Sequence, residues 1–188
     1  MALKLITPPA TEPVTMEEAK AHLGVNHTES DNQITDLITS AREYCEGYQN
    51  RAYITQTWDL WLDDWPDKDH IYIPRPPLQS VTHVKYYGTD NTEYTMGAAD
   101  YFVDDKNEPG RVALAYNKSW PTTTLRPANG VVAQFVAGYG LAASVPQKVK
   151  QAILLKIELD FDEHEPAETD SLLKAIKRLL WLDRVVNV

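Results

Sequence analysis

The sequence predicts an α+β fold with helices at both ends of the chain, which form a small bundle, and an inserted antiparallel β region of about six or seven short strands. Over residues 34–48, apolar side chains recur in steps of three and four, and from residue 52 the period falls to two, so a helix leads into a strand. Short apolar runs separated by turn residues then continue to residue 136, and helical spacing returns after Pro146.

The composition of the 188-residue chain fits one domain of ordinary size. A hydrophobic fraction of 43% supports a packed core and excludes global disorder. The single cysteine excludes an intramolecular disulfide framework, and Cys45 lies on the apolar face of the long helix, where we expect it to be buried. The N-terminus lacks a signal-peptide core and no run is long enough to span a membrane, so we expect synthesis in the cytoplasm.

Charge is unevenly distributed along the chain. The net charge is −9, which argues against general nucleic-acid wrapping, because wrapping requires a basic surface. Residues 171–188 nevertheless contain four basic residues, Lys174, Lys177, Arg178 and Arg184, and one acidic residue, Asp183. The sequence therefore combines an acidic body with a basic final helix.

The N-terminal elements are predicted from prolines and capping residues. Residues 1–14 are expected to form an extended arm, because their three prolines exclude a helix. Thr15 and Glu18 have the spacing of a capping box and start a short helix, which Gly24 ends. The long helix is expected to begin at Ser30 or Asp31, with Gln33 at capping-box spacing from Ser30.

The β region is predicted from short alternating or apolar runs. The predicted strands cover residues 54–62, 71–73, 81–87, 92–96, 101–103, 111–116 and 131–136. Their close spacing favours an antiparallel meander or a small sandwich over a parallel sheet.

Two helices are predicted after the β region. The first opens at Pro146 and carries apolar residues around most of its circumference, so either a bundle or another copy of the chain must cover it. Its candidate residues for packing between subunits are Leu154, Leu155 and Leu159. The second is expected to start at Glu168 or Thr169, after Pro166 stops the first.

The last helix has an apolar face and a basic face. Its predicted apolar stripe comprises Leu172, Ala175, Ile176, Leu179, Leu182 and Val186. Lys174, Lys177 and Trp181 fall opposite this stripe. Two interpretations of Trp181 remain open: a contact with a partner protein, or packing on the sheet region of its own chain. The candidate partner contacts are Lys174, Lys177, Arg178, Trp181 and Arg184.

Motifs of known chemistry are missing from the sequence. It contains no glycine-rich phosphate loop, no nucleophile elbow and no His-Glu-x-x-His motif. Two acidic clusters, Asp63, Asp64, Asp67, Asp69 with His70, and Asp160, Asp162, Glu163 with His164 and Glu165, lack the order of a calcium loop. We therefore expect no catalytic, cofactor-binding or metal site, and a binding or structural protein.

Several segments resemble the head–tail connector (adaptor) proteins of tailed bacteriophages and related gene-transfer particles. The segments are TPPATEPVTMEEAKAHLGV, AREYCEGYQNRAYITQTWDLWLD, IPRPPLQSVTHVKYY, and FVAGYG followed by VPQKVKQAILL. They correspond to the Pro-rich arm with the first helix, the helix-to-strand junction, a proline-bracketed strand pair, and the last strand with the return helix. The resemblance covers residues 6–160 and weakens after Glu165.

The resemblance implies a structural role in the virion neck, without enzymatic activity. Such proteins form a ring, typically of twelve copies, beneath the portal protein, and they extend the DNA channel toward a stopper protein or the tail. Their C-terminal elements commonly dock to the portal, and DNA passes without sequence-specific binding. One connector domain over residues 1–188 is then expected, with an arm (1–14), helical parts (15–51 and 145–186) and a β region (52–140).

Three features of the residues agree with this role. A neighbouring copy would cover the apolar helix, an acidic channel would not retain DNA, and the basic final helix would hold a partner. Alternatives are another neck component such as a stopper or tail-completion protein, a metal-dependent hydrolase that uses an acidic cluster, or a regulatory binding module.

Overall fold

The computed structural model describes residues 1–186, and the chain divides into two compact units. The helical unit comprises Ala10–Ile54 and Tyr139–Val188, and the β unit comprises Met1–Pro9 and Thr55–Gly138. Among the described residues, no helix has the length and apolar character needed to cross a membrane.

Up to residue 186, the helical unit contains four α-helices: α1 (Met16–Leu23), α2 (Asp31–Gln49), α3 (Gln147–Phe161) and α4 (Pro166–Trp181). A short 3-10 helix, Ala142–Ser144, precedes α3. The helices pack on one another around fully buried side chains such as Ile34, Ile153 and Ile176. The predicted bundle of helices from both ends of the chain is confirmed.

The helix starts differ in how well the sequence predicted them. The capping box of Thr15 and Glu18 is confirmed, since each side chain accepts the other residue's backbone N–H. The box predicted at Ser30 is wrong, because Ser30 has φ −96° and ψ 3°, outside the extended region that a capping side chain needs, and its side chain caps nothing. The start predicted for α4 at residues 168–169 is also wrong: Pro166 occupies the first turn, where proline is well tolerated.

Eight strands form the β unit, and all their pairings are antiparallel. They are β1 (Ala2–Thr7), β2 (Gln56–Leu62), β3 (His70–Ile73), β4 (Leu78–Tyr87), β5 (Glu93–Thr95), β6 (Tyr101–Asp104), β7 (Gly110–Leu114) and β8 (Val131–Ala137). A five-stranded sheet has the order β1-β2-β8-β4-β5, and a three-stranded sheet has the order β3-β7-β6. The predicted antiparallel β region is confirmed.

The larger sheet is not a meander, because its central strand β8 comes last in the sequence. β8 pairs with β2 along the whole of both strands, from Gln56 opposite Ala137 to Leu62 opposite Val131, and with β4 on its other side. This central position explains why five of the seven residues of β8 are buried.

The segment expected to be an extended arm contains strand β1. It pairs with β2 at the edge of the larger sheet, and all six of its residues are exposed. An edge strand that is exposed on both faces has no alternation of burial, so the sequence pattern carried no signal for this pairing.

Candidate functional site

The buried face of α4 consists of fewer residues than predicted. Ile176, which the sequence assigned to this face, and Leu180, which it did not, are fully buried. Leu182 and Val186, which the sequence assigned to the same stripe, are 84% and 73% exposed. They lie beyond the helix, which ends at Trp181, so helical spacing no longer directs them toward the core.

The opposite face of α4 exposes the predicted candidate residues. Lys174, Lys177, Arg178 and Trp181 are all exposed, and Trp181 leaves 61% of its surface accessible. Lys174 forms an ion pair of 2.6 Å with Asp170 one turn earlier, which offsets its charge. The basic character of this face therefore rests mainly on Lys177 and Arg178.

An aromatic residue of α2 joins this face, and together they form what we call the C-terminal patch: Tyr48, Lys177, Arg178, Trp181, Leu182 and Arg184. The first five line a shallow cavity of about 350 Å³. The Arg184 guanidinium carbon lies 5.1 Å from the centre of the Tyr48 ring and 6.0 Å from that of Trp181, within cation–π range. Four of the five predicted contacts thus lie together, and Lys174 lies outside the cavity.

The contact of Tyr48 with Arg184 was not predictable from the sequence. The helical spacing of Tyr48 assigned it to the apolar face of α2, and it does pack against the core with part of its surface. The remaining surface reaches Arg184, 136 positions later in the chain, and no local pattern encodes that pairing.

The backbone that carries Arg184 is held by residues at the end of α2. The Gln49 side-chain amide donates to the Leu180 carbonyl over 2.6 Å, and that of Asn50 donates to the Val185 carbonyl over 2.8 Å. The Val185 N–H in turn donates to the Gln49 carbonyl over 2.9 Å. The chain after α4 is thereby joined to the C-terminal end of α2.

A second pair of contacts holds residue 183. The Arg51 guanidinium donates to the Asp183 carbonyl over 2.5 Å, and Lys148 forms an ion pair with the Asp183 carboxylate. The one acidic residue of the basic final segment is therefore used internally.

A buried polar chain runs along α2 toward the same region. Arg42 donates to Glu12 and to Glu46, each over 2.8 Å, and Arg42 and Glu46 are only 5% and 6% exposed. Burial disfavours the charged guanidinium, but Glu46 and Glu12 outweigh burial and raise the Arg42 pKa. Glu46 also accepts the Tyr53 N–H over 2.7 Å, so one charge network joins the segment before α1 to the end of α2.

The three leucines predicted for subunit packing lie on α3. Leu154, Leu155 and Leu159 are partly buried and pack against the core of the helical unit. The bundle therefore accounts for part of the apolar circumference of α3, and the leucines remain candidates for packing between subunits through the surface they leave exposed.

In each acidic cluster, carboxylates bind groups of the same chain. Asp63 accepts the Asn129 N–H over 2.9 Å, Asp69 bonds His70 over 2.8 Å, and Asp160 pairs with Lys156. Within residues 1–186, no group of three or more His, Cys, Asp or Glu side chains is arranged to hold a metal ion. Cys45 is fully buried, and burial raises the pKa of its thiol to about 12, which makes it unreactive.

The first half of the chain matches a known protein family. Residues 13–105 match the family described as phage gp6-like head-tail connector protein. We therefore assign the chain to the head–tail connector family. Connectors are structural proteins rather than enzymes, and the match begins before α1 and ends just after β6, so it includes parts of both units.

Solved structures share the fold over the full length of this connector. A chain from the neck of an empty gene transfer agent (GTA) particle, computed with C6 symmetry, is 20% identical, with a TM-score of 0.79. A chain from the neck of the native GTA particle, computed with C12 symmetry, gives the same values, and each match covers 100% of this chain and 97% of the other. No curated protein sequence matches this connector significantly.

Proposed function

We propose that this connector forms a ring in the virion neck, beneath the portal protein, and joins the DNA-filled head to the tail. The observation that carries the proposal is the family match over residues 13–105. The likeness of the whole fold to a neck subunit of a particle computed with C12 symmetry supports it and favours a ring of twelve copies.

A ring requires contacts of a defined kind between its subunits. In a closed ring each subunit presents two different surfaces, one to each neighbour. The half-buried leucines of α3, Leu154, Leu155 and Leu159, provide apolar surface for one side of such a contact. Contact with the next copy would bury the surface of these leucines that the helix bundle leaves exposed.

The C-terminal patch is the part of the helical unit best suited to contact the portal. Trp and Arg side chains commonly form the energetic centres of protein interfaces. Trp181, Arg178 and Arg184 provide both types around a shallow apolar cavity. The opposite surface of the ring would receive the stopper or the tail.

The acidic composition suits a channel through which DNA moves. The net charge of −9 gives the body of the ring the same sign as the DNA phosphates, so DNA would pass without adhering. A ring whose acidic residues faced outward would contradict this part of the proposal.

The native mass of the purified protein, alone and after mixing with the portal protein of the same genome, tests the proposal. We expect a stable complex with the portal that contains multiple connector copies. A ring formed without the portal would support the neck role and would mean that contacts between copies of this chain are sufficient for assembly. No ring and no portal complex under either condition would contradict the proposal, and binding to an isolated tail protein instead would favour the stopper alternative.

A further inference from the structure

The C-terminal patch includes a residue that regular secondary structure does not hold. α4 ends at Trp181, and Arg184 lies in the turn and irregular chain that follow. We propose that Gln49 and Asn50 are positioning residues for this patch: they bind the backbone of residues 180–185 and so hold Arg184 against Tyr48 and Trp181. The functional consequence of this inference rests on the partner-binding role proposed above.

Gln49 controls the last turn of α4. Its side chain is fully buried, and both ends of its amide are used: Nε2 donates to the Leu180 carbonyl over 2.6 Å, and Oε1 accepts the Tyr53 hydroxyl over 2.7 Å. The Leu180 carbonyl can only accept a hydrogen bond, so it must face Nε2, and Oε1 then accepts the hydrogen bond that the Tyr53 hydroxyl donates. Only this orientation of the Gln49 amide satisfies both partners. Tyr53 thus fixes Gln49, and Gln49 fixes the backbone next to Trp181.

Asn50 controls the residue that follows Arg184. It ends α2 in the left-handed conformation, with φ 54°, and its side chain donates to the Val185 carbonyl over 2.8 Å. The Val185 N–H donates to the Gln49 carbonyl over 2.9 Å, so both polar backbone atoms of Val185 are bound by the end of α2. Bonds to main-chain atoms hold the segment irrespective of its side chains.

The same contacts explain why the patch spans two distant parts of the chain. Tyr48 immediately precedes Gln49, so the residues that hold the C-terminal segment also carry one ring of the patch. Arg184 is therefore placed within 5.1 Å of the centre of the Tyr48 ring before any partner arrives. Such pre-organisation reduces the entropy that a side chain loses on binding.

The substitution Asn50→Gly tests the proposal with little risk to the fold. Glycine adopts a positive φ without strain, so the end of α2 is kept while the side-chain amide is removed. Loss of one hydrogen bond should accelerate hydrogen exchange at the Val185 amide by about fivefold. The indole N–H resonance of Trp181, assigned with a Trp181→Phe variant, should shift. Asn117→Gly is the matched control, since Asn117 is an exposed residue of the β unit with φ 58°.

A second variant reaches the same segment through Gln49. Tyr53→Phe keeps the aromatic ring, which stacks on Tyr139 with centres 6.5 Å apart, and removes only the hydroxyl that orients Gln49. Exchange at residues 180–185 should rise by more than the global unfolding equilibrium explains, whereas Tyr44→Phe, the same change on α2, should leave it unaltered. Unchanged exchange at Val185 and an unchanged Trp181 resonance in folded Asn50→Gly and Tyr53→Phe would overturn the proposal.

Binding to the portal protein separates this inference from the proposed function. If the patch contacts the portal, dissociation from the portal should accelerate about fivefold in Asn50→Gly, in line with the lost hydrogen bond. Faster hydrogen exchange at residues 180–185 together with an unchanged affinity for the portal would support the positioning role of Gln49 and Asn50. The same result would contradict the proposed portal contact.

Discussion

The Arg42 guanidinium and the Glu46 carboxylate form an ion pair of 2.8 Å, one helical turn apart, with both side chains almost fully buried. Replacement of Arg42 by Met should lower the free energy of unfolding by about 3 kcal/mol, because it leaves the buried Glu46 carboxylate without its cation. Denaturant unfolding measures this loss. Lys174→Met, which breaks the exposed pair with Asp170, is the control and should change stability by less than about 0.5 kcal/mol. Similar losses in both variants would contradict a special role for the buried pair.

Two glycines should respond to alanine in opposite ways. At Gly47, in α2, an added Cβ meets nothing within 4 Å, so Gly47→Ala should stabilise the protein by about 0.5–1 kcal/mol through its higher helix propensity. At Gly130 the new Cβ would lie 2.5 Å from the Asp63 carbonyl oxygen and 3.0 Å from the Leu125 Cβ. Gly130→Ala should therefore destabilise by about 1–3 kcal/mol.

Thermal or denaturant unfolding distinguishes these two outcomes. A stable Gly130→Ala variant would mean that the loop before β8 can shift to admit the added methyl group at little cost in stability. Loss of stability in Gly47→Ala would mean that the exposed face of α2 is less open than the structure indicates.

His164 should make stability depend on pH near neutrality. A hydrogen bond to the Glu158 carbonyl, and then Glu168, raise its pKa above the ordinary value of 6.5. A raised pKa in the folded state means that the protonated form contributes stability at pH values below 6.5, and that this contribution is lost as pH rises through the folded pKa. Between pH 6 and 8 the melting temperature should fall more for the wild type than for His164→Gln. Parallel pH profiles for the two proteins would refute the assignment.

Trp181 should contribute strongly to portal binding if the C-terminal patch is the contact. Trp181→Ala should weaken the complex by about 2 kcal/mol, which corresponds to about thirtyfold in affinity. Tyr116→Ala, which removes an aromatic side chain of the β unit that is 92% exposed, is the control. Calorimetric titration of the portal protein with each variant measures the effect, and equal affinity of Trp181→Ala and wild type would exclude Trp181 from the interface.

Elements that bury one face were predictable from the sequence. The spacing of Ile34, Ile38 and Ala41 predicts α2, and all three side chains are buried. Thr15 and Glu18 predict the start of α1 because a capping box is a local arrangement. In each case the residues that carry the signal are the residues that make the stabilising contact.

Elements held by edge pairing or backbone contacts were not predictable in this way. β1 is exposed on both faces, so hydrogen bonds to β2 rather than side-chain burial define it. Leu180 and Val185 are bound through their carbonyl groups, which every residue type has. The basic residues of the patch were identified by charge, whereas Gln49 and Asn50, which we propose to position Arg184, have no distinctive spacing.

Because β2 pairs with β8, the two ends of the inserted segment Gln56–Ala137 lie side by side. Gln56 lies opposite Ala137, and just outside the inserted segment the Tyr139 N–H donates to the Tyr53 carbonyl over 2.9 Å. An insertion whose two ends meet can gain or lose residues in its turns at little entropic cost and without separating its points of attachment. The fold thus allows the exposed turns to diversify through evolution while the helices retain their sequence constraints.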